Sequence, residues 1–200
     1  MARPPNADPD ATQRRILDAG IRLFGAHGID GVSVREIGRH AGVTLSTVHH
    51  HFGSKEQLHD ACVERMYEQL RALLDELAPI VATERDRASM IDASIRRAFR
   101  FARAHRAAIQ LLLRAVVSRG ELDDARRRKT QLPFLELGST LLGGDPVRVR
   151  LALTNIVYLL ARNAVSTREE LRAVTGLRDV EAAERAVEDN LVVTALATLG

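Results

Sequence analysis

The stretch from Ser33 to Phe52 constrains this chain more than any other, because it carries start and stop signals for two short helices back to back. Ser33-Val34-Arg35-Glu36 has the form of a capping box, in which a serine hydroxyl and a glutamate three residues on satisfy the first free amides of a helix. That helix is short and ends near His40, where Ala41-Gly42-Val43 makes a tight turn. Thr44 then caps a helix running to about His50, and Phe52 follows as an expected buried anchor. A second box, Ser54-Lys55-Glu56-Gln57, opens a longer helix predicted to stop at about Ala78, before Pro79. Two short helices joined through a glycine, with small Ala41 at their crossing and Ile37, Val43 and Val48 as shared core, form a helix-turn-helix. Its second helix projects Leu45, Ser46, Thr47, His49 and His50, side chains that suit a DNA major groove. At Lys55 a cation and helix N-terminal amides together suit a phosphate.

Helical periodicity continues on both sides of this motif, and no segment alternates like a strand for long. A first helix is predicted from about Gln13 to His27, with Thr12 as N-cap and Gly28 ending it in the left-handed conformation. Residues 1–11 hold three prolines and no apolar period, which predicts a disordered arm. Further helices are expected near 86–104, 106–118, 122–142, 146–165, 168–175 and 180–198. Gly143-Gly144-Asp145-Pro146 is the clearest punctuation: two glycines stop one helix, and an N-cap Asp with Pro in the first turn starts the next. The expected fold is therefore all-α, with a three-helix helix-turn-helix domain at 12–58 and a helical body at 59–200. The helices at 146–165 and 180–198 are apolar on nearly every side, more than one small body can bury. They are read as packing on a second copy, as a homodimer.

Charge and composition exclude more than they assert. The net charge is only +3, and residues 1–60 hold seven basic and seven acidic side chains, so pI is weak evidence for a polyanionic partner. Six of the seven histidines lie in that neutral segment: His27, His40, His49, His50, His51 and His59. The single cysteine, Cys62, excludes an internal disulfide and is read as a small buried residue. The N-terminus has no apolar run of the signal-peptide kind, and Leu151–Ala161 falls short of the ~20 residues that span a bilayer, so a cytoplasmic protein with no membrane partner is expected. No Gly-rich phosphate loop, nucleophile elbow or zinc-protease helix is present, and the two Glu-x-x-His motifs of a di-metal bundle are not found, so no enzyme and no cofactor are expected. Adjacent histidines on a helix point in different directions, so His49-His50-His51 is read as groove contacts and packing rather than a metal site. Arg126-Arg127-Arg128-Lys129 spreads around a helix and is read as a solvated face paired with Asp123 and Asp124.

Thr12-Gln13-Arg14-Arg15-Ile16-Leu17-Asp18-Ala19, Leu23-Phe24-Gly25-Ala26-His27-Gly28, Gly31 through Val43 and His51-Phe52-Gly53-Ser54-Lys55-Glu56-Gln57-Leu58 closely resemble the tetracycline-repressor (TetR) family of regulators. Ser166 to Leu171 and the closing helix are also similar to that family, whereas 80–145 carries no family motif. The resemblance implies a dimeric, ligand-responsive repressor on a palindromic double-stranded operator, with an unidentified small-molecule effector held in the body. It implies phosphate contacts at Ser33, Thr47 and Lys55, and base or groove contacts from Thr44 to His50, through Thr44, Leu45, Ser46, His49 and His50. Candidate effector-pocket residues are Met90, Phe99, Phe101, His105, Phe134, Asn155 and Tyr158. Two departures stand out: His49 occupies a position where Tyr is usual, and Gly20 and Gly38, where Ala is usual, are expected to soften their helices by roughly 0.5–1 kcal/mol each. Protonation of His49 and His50 against phosphate would strengthen binding as pH falls; the alternative reading is that these imidazoles are packed or neutral in the groove, leaving only the salt-dependent attraction of Arg and Lys. The alternative is a helical interaction protein whose helix-turn-helix no longer binds DNA; Lys55, one of only two lysines, argues against it.

Overall fold

The computed structural model describes residues 9–84, 86–119 and 124–200, all of them helix or connecting turn. They form two compact units, one drawn from residues 1–69 and 107–120, the other from 70–106 and 121–200. Among the described residues, no helix is long and apolar enough to cross a membrane.

The first unit contains α1 (Pro9–His27), α2 (Val34–Ala41), α3 (Leu45–Phe52), the first part of α4 (Lys55–Thr83) and nearly all of α6 (Arg106–Arg119). The apolar stripe of α1 supplies Ile16, Ala19 and Phe24, which are fully buried with Ile37, Leu58, Met66 and Leu111. α1 starts at Pro9, ahead of the predicted start, so Thr12 is not its cap. Thr12 is instead a buried first-turn residue whose hydroxyl accepts from Arg15 at 3.4 Å. Proline fits a helical first turn because the amide it lacks has no acceptor there. Residues 9–11 of the expected disordered arm are therefore helical, and its residues 1–8 lie outside the described residues.

Gly20 and Gly38 do more than soften helices. A Cβ on Gly20 would lie 2.7 Å from Cys62 Sγ, and one on Gly38 would lie 3.1 Å from the Val43 carbonyl. The missing methyl groups make room for α4 and for the turn. Cys62 is fully buried, and its burial, helped by the charge of Asp18, pushes the thiol up to about 12. Gly20→Ala is therefore expected to destabilise by about 1–3 kcal/mol, whereas Cys62→Ala beneath it should return much of that loss. A double-mutant cycle in urea measures the coupling; strictly additive effects would mean that the two side chains do not share the space.

The second unit is built on α5 (Arg87–Ala104), α9 (Pro146–Ala164) and α11 (Val180–Leu199), with α8 (Leu132–Leu142) on α9 and α10 (Arg168–Thr175) on α11. Ala164, Ala183 and Ala195 are fully buried, so the helices approach closely and few aromatics are needed. Arg96 and Arg100 on α5 pair with Glu188 of α11, and Arg96 also reaches Asp189 at 2.7 Å. These ties orient two helices that apolar burial alone would leave free to slide.

Two predicted elements are corrected. α4 passes through Pro79 and ends at Thr83. Pro79 and Asp75 both face solvent, where the carbonyl that loses its partner can be hydrated, so the helix continues at modest cost. The helix expected at 122–142 is a short turn, α7 (Asp124–Arg126), a π-helical stretch at Arg127–Gln131, and α8; residues 122 and 123 lie outside the described residues. Arg127 and Arg128 both pair with Asp124, in keeping with a solvated face.

Candidate nucleic-acid interface

The turn between α2 and α3 is assembled from local hydrogen bonds. Ser33 Oγ accepts from the Glu36 amide at 3.1 Å and opens α2. Gly42 ends it at φ 68°, ψ 37°, a conformation glycine adopts without strain. Val43 N donates to the Gly38 carbonyl at 2.9 Å, and Thr44 Oγ1 accepts from the Thr47 amide at 3.1 Å to start α3. Val48 faces inward and is buried, with Ile37 and Ala41. Leu45, Ser46, His49 and His50 are exposed on α3, as is the capping Thr44; Thr47 is half-buried. Capping uses one lone pair of the Ser33 hydroxyl and leaves its proton free to donate to a phosphate oxygen. Phe52 is the last residue of α3 and only half-buried, not the fully buried anchor expected. It lies beside His51, with ring centroids 6.3 Å apart.

α4 opens with a reciprocal box: Ser54 N donates to Gln57 Oε1 at 2.8 Å, and Gln57 N donates to Ser54 Oγ at 3.1 Å. Leu58 N reaches the Ser54 carbonyl at 3.0 Å. The exposed Glu56 carboxyl is held below its usual range by its own backbone amide first and the Ser54 hydroxyl second. With the amides of Gln57 and Leu58 engaged within the turn, Lys55 supplies the cation at this helix start. Glu56-Gln57-Leu58-His59 has Glu-x-x-His spacing, but His59 packs edge-on against Phe24 with ring centroids 5.2 Å apart. Among the described residues, no cluster of three or more His, Cys, Asp or Glu could hold a metal ion.

The effector-pocket candidates are scattered. Phe99 and Phe101 are buried, and His105 stacks on Phe101 with its Nδ1 donating to the Phe101 carbonyl at 2.9 Å. Met90 and Phe134 are half-buried, while Asn155 and Tyr158 are exposed on α9. An open cleft of about 500 Å³ is lined instead by Arg103, Arg106, Ser166, Thr167, Arg168 and Glu169. Its arginines are largely spent on the chain itself. Arg103 donates to the Ala164 and Ser166 carbonyls at 3.0 and 2.8 Å and pairs with Glu184; Arg106 donates to the Val165 carbonyl at 2.8 Å. Together they satisfy the carbonyls left open at the end of α9. In the first unit, Arg114 does the same for α1, reaching the Gly25 and Ala26 carbonyls at 2.7 Å each. No sequence signal reveals these arginines, because their acceptors lie far away along the chain.

A glycine-turned pair of capped helices, presenting short polar side chains beside a lysine at a third helix start, defines a helix-turn-helix motif. Residues 16–62 match the model of the bacterial regulatory proteins of the tetR family. That match covers the helix-turn-helix segment, about a quarter of the chain. It is similar to the HTH-type transcriptional regulatory protein RaaS of Mycobacterium tuberculosis, with 48% identity over 58 residues, covering 29% of this chain and 27% of that protein. It is also similar to the HTH-type transcriptional repressor KstR2 of Rhodococcus jostii, with 32% identity over 102 residues, covering 48% and 47%. The chain thus spans less than half the length of these curated relatives. The fold as a whole is that of a TetR-like transcriptional regulator from Rhodococcus sp. RHA1, with TM-score 0.66 and 21% identity over 98% of this chain and 99% of that one.

Proposed function

We propose that this protein is a sequence-specific transcriptional regulator, a ligand-responsive repressor that binds a palindromic operator as a homodimer. The observation that carries this reading is the exposed polar face of α3 lying between two capped helix starts, Ser33 and Ser54, with Lys55 beside the second. Residues 12–58 would read DNA, while 59–200 would hold the effector and the dimer contact. The exposed Val147, Leu151, Tyr158 and Val193 on α9 and α11 support pairing through those helices. A cytoplasmic location follows from the proposed target.

A gel-shift titration with the DNA upstream of the chain's own gene tests the reading. A parent protein that binds no operator would leave the helical interaction protein as the better account. Lys55→Ala is expected to weaken binding to all sequences alike, because a phosphate contact positions without reading bases. It should also lower the salt slope by about one unit per subunit. Thr47→Ala should act in the same direction but less, and changes at Leu45 or Ser46 should alter which operators are preferred. An unchanged salt slope for Lys55→Ala would remove Lys55 from the phosphate contacts.

A further inference from the structure

We propose, on the reading above, that His49 has two separate tasks: its Nδ1 fixes the end of α3 to the start of α4, and its Nε2 stands as a hydrogen-bond acceptor for a base-edge amino group. His49 Nδ1 lies 2.5 Å from the Gly53 carbonyl oxygen. A carbonyl can only accept, so Nδ1 carries the ring proton and donates. The same two residues are joined a second time, by Gly53 N donating to the His49 carbonyl at 2.9 Å. Gly53 sits at φ 71°, ψ −100°, and a Cβ there would collide with Gln57 Oε1, the atom that accepts from Ser54 N. The imidazole of His49 therefore closes a short series of contacts through Gly53 and Gln57 to the turn that carries Lys55. A shift of the reading helix is transmitted to the phosphate-binding end of α4, and the reverse.

The ring's other nitrogen follows from the first. In a neutral imidazole one nitrogen donates and the other accepts, so engagement of Nδ1–H leaves Nε2 as an acceptor. His49 is exposed on the outer face of α3. A phosphate oxygen is itself an acceptor and has nothing to offer such a nitrogen. The groups in the major groove that do are the adenine N6 and cytosine N4 amino groups. His49 thereby becomes a specificity-determining residue as well as a positioning one.

Three substitutions separate the tasks. In His49→Asn the side-chain amide can take over the Nδ1 donor but leaves nothing at Nε2; His49→Gln reaches the Nε2 position without the Nδ1 donor; His49→Ala removes both. Long-range proton–nitrogen correlation of the uniformly labelled protein, well above the ordinary histidine titration range, should show His49 in the Nδ1–H form. In fluorescence anisotropy against the operator and its single-base-pair variants, the parent should prefer A or C over G or T at one position of one strand by about tenfold, within the range of a good base contact. His49→Asn should keep affinity for random DNA near the parent's while losing that preference, whereas His49→Ala should lose both. An Nε2–H tautomer, or a base-preference profile that is the same in parent and His49→Asn, would overturn the inference while leaving the operator-binding reading intact. A parent that binds no DNA would overturn both.

Discussion

Leu151→Arg combined with Val193→Arg is expected to give a folded monomer at micromolar concentration that no longer holds a palindromic operator. Val147, Leu151 and Val193 are 65%, 60% and 64% exposed in the single chain, so replacing them costs its core little. In α9, Val147, Leu151 and Tyr158 recur at helical spacing along one outer face, while Leu153, Ile156, Ala161 and Ala164 pack inward. Such a helix has two apolar sides and only one is covered. A C₂ interface places each substitution at the contact twice, so two changes per chain bring four uncompensated cations into it. At about 2 kcal/mol or more for each of the four side chains, dissociation should rise by more than roughly a hundred-thousandfold. α9 contains no acidic residue that could take up the new charge. Light scattering together with far-ultraviolet circular dichroism decides the matter. A double variant that remains dimeric would show that this face is not the interface.

Gly25→Ala should produce a large loss of stability in the first unit. A Cβ at Gly25 would stand 2.5 Å from the Ala107 carbonyl oxygen and 3.5 Å from the Leu111 amide nitrogen. Both are backbone atoms of α6, so no rotamer change can relieve the overlap; the helices must separate. Separation would also stretch the two Arg114 bonds to the Gly25 and Ala26 carbonyls. Overpacking of this kind costs about 1–3 kcal/mol, and the helix-propensity gain of about 1 kcal/mol for Ala over Gly offsets only part of it when the clash is with backbone. A fall in thermal midpoint of roughly 4–8 °C is expected for a net 2 kcal/mol in a chain of this size. Thermal unfolding followed by circular dichroism measures it. A variant as stable as the parent would mean that α1 and α6 are not this close.

Most of the proposed interface is legible in the sequence, because it is built from interactions that span three or four residues. Ser33 with Glu36, Thr44 with Thr47, Ser54 with Gln57 and Asp145 with Val147 are caps whose partners are near neighbours, and each is present as a hydrogen bond. Gly28 and Gly42 are local in the same way, each taking the positive φ at which its helix ends. One local feature was missed: the ring of His49 donating to the Gly53 carbonyl, since a helix pattern does not say which nitrogen of a histidine is engaged. Where contacts run far along the chain, only the tertiary structure decides. The need for glycine at Gly20 and Gly25 comes from Cys62 and Ala107, and the tasks of Arg103 and Arg114 come from carbonyls on other helices. Pro79 marks a helix end by its own chemistry, yet the helix passes through it because the orphaned carbonyl faces water. The body is the extreme case. The stretches Leu151–Ala161 and Leu191–Leu199 of its late helices are apolar on more than one side, so periodicity alone cannot say that Leu153 and Ile156 pack inward while Leu151 and Tyr158 face out. That choice is made by the helices each one meets, and those meetings are not written in any window of neighbouring residues.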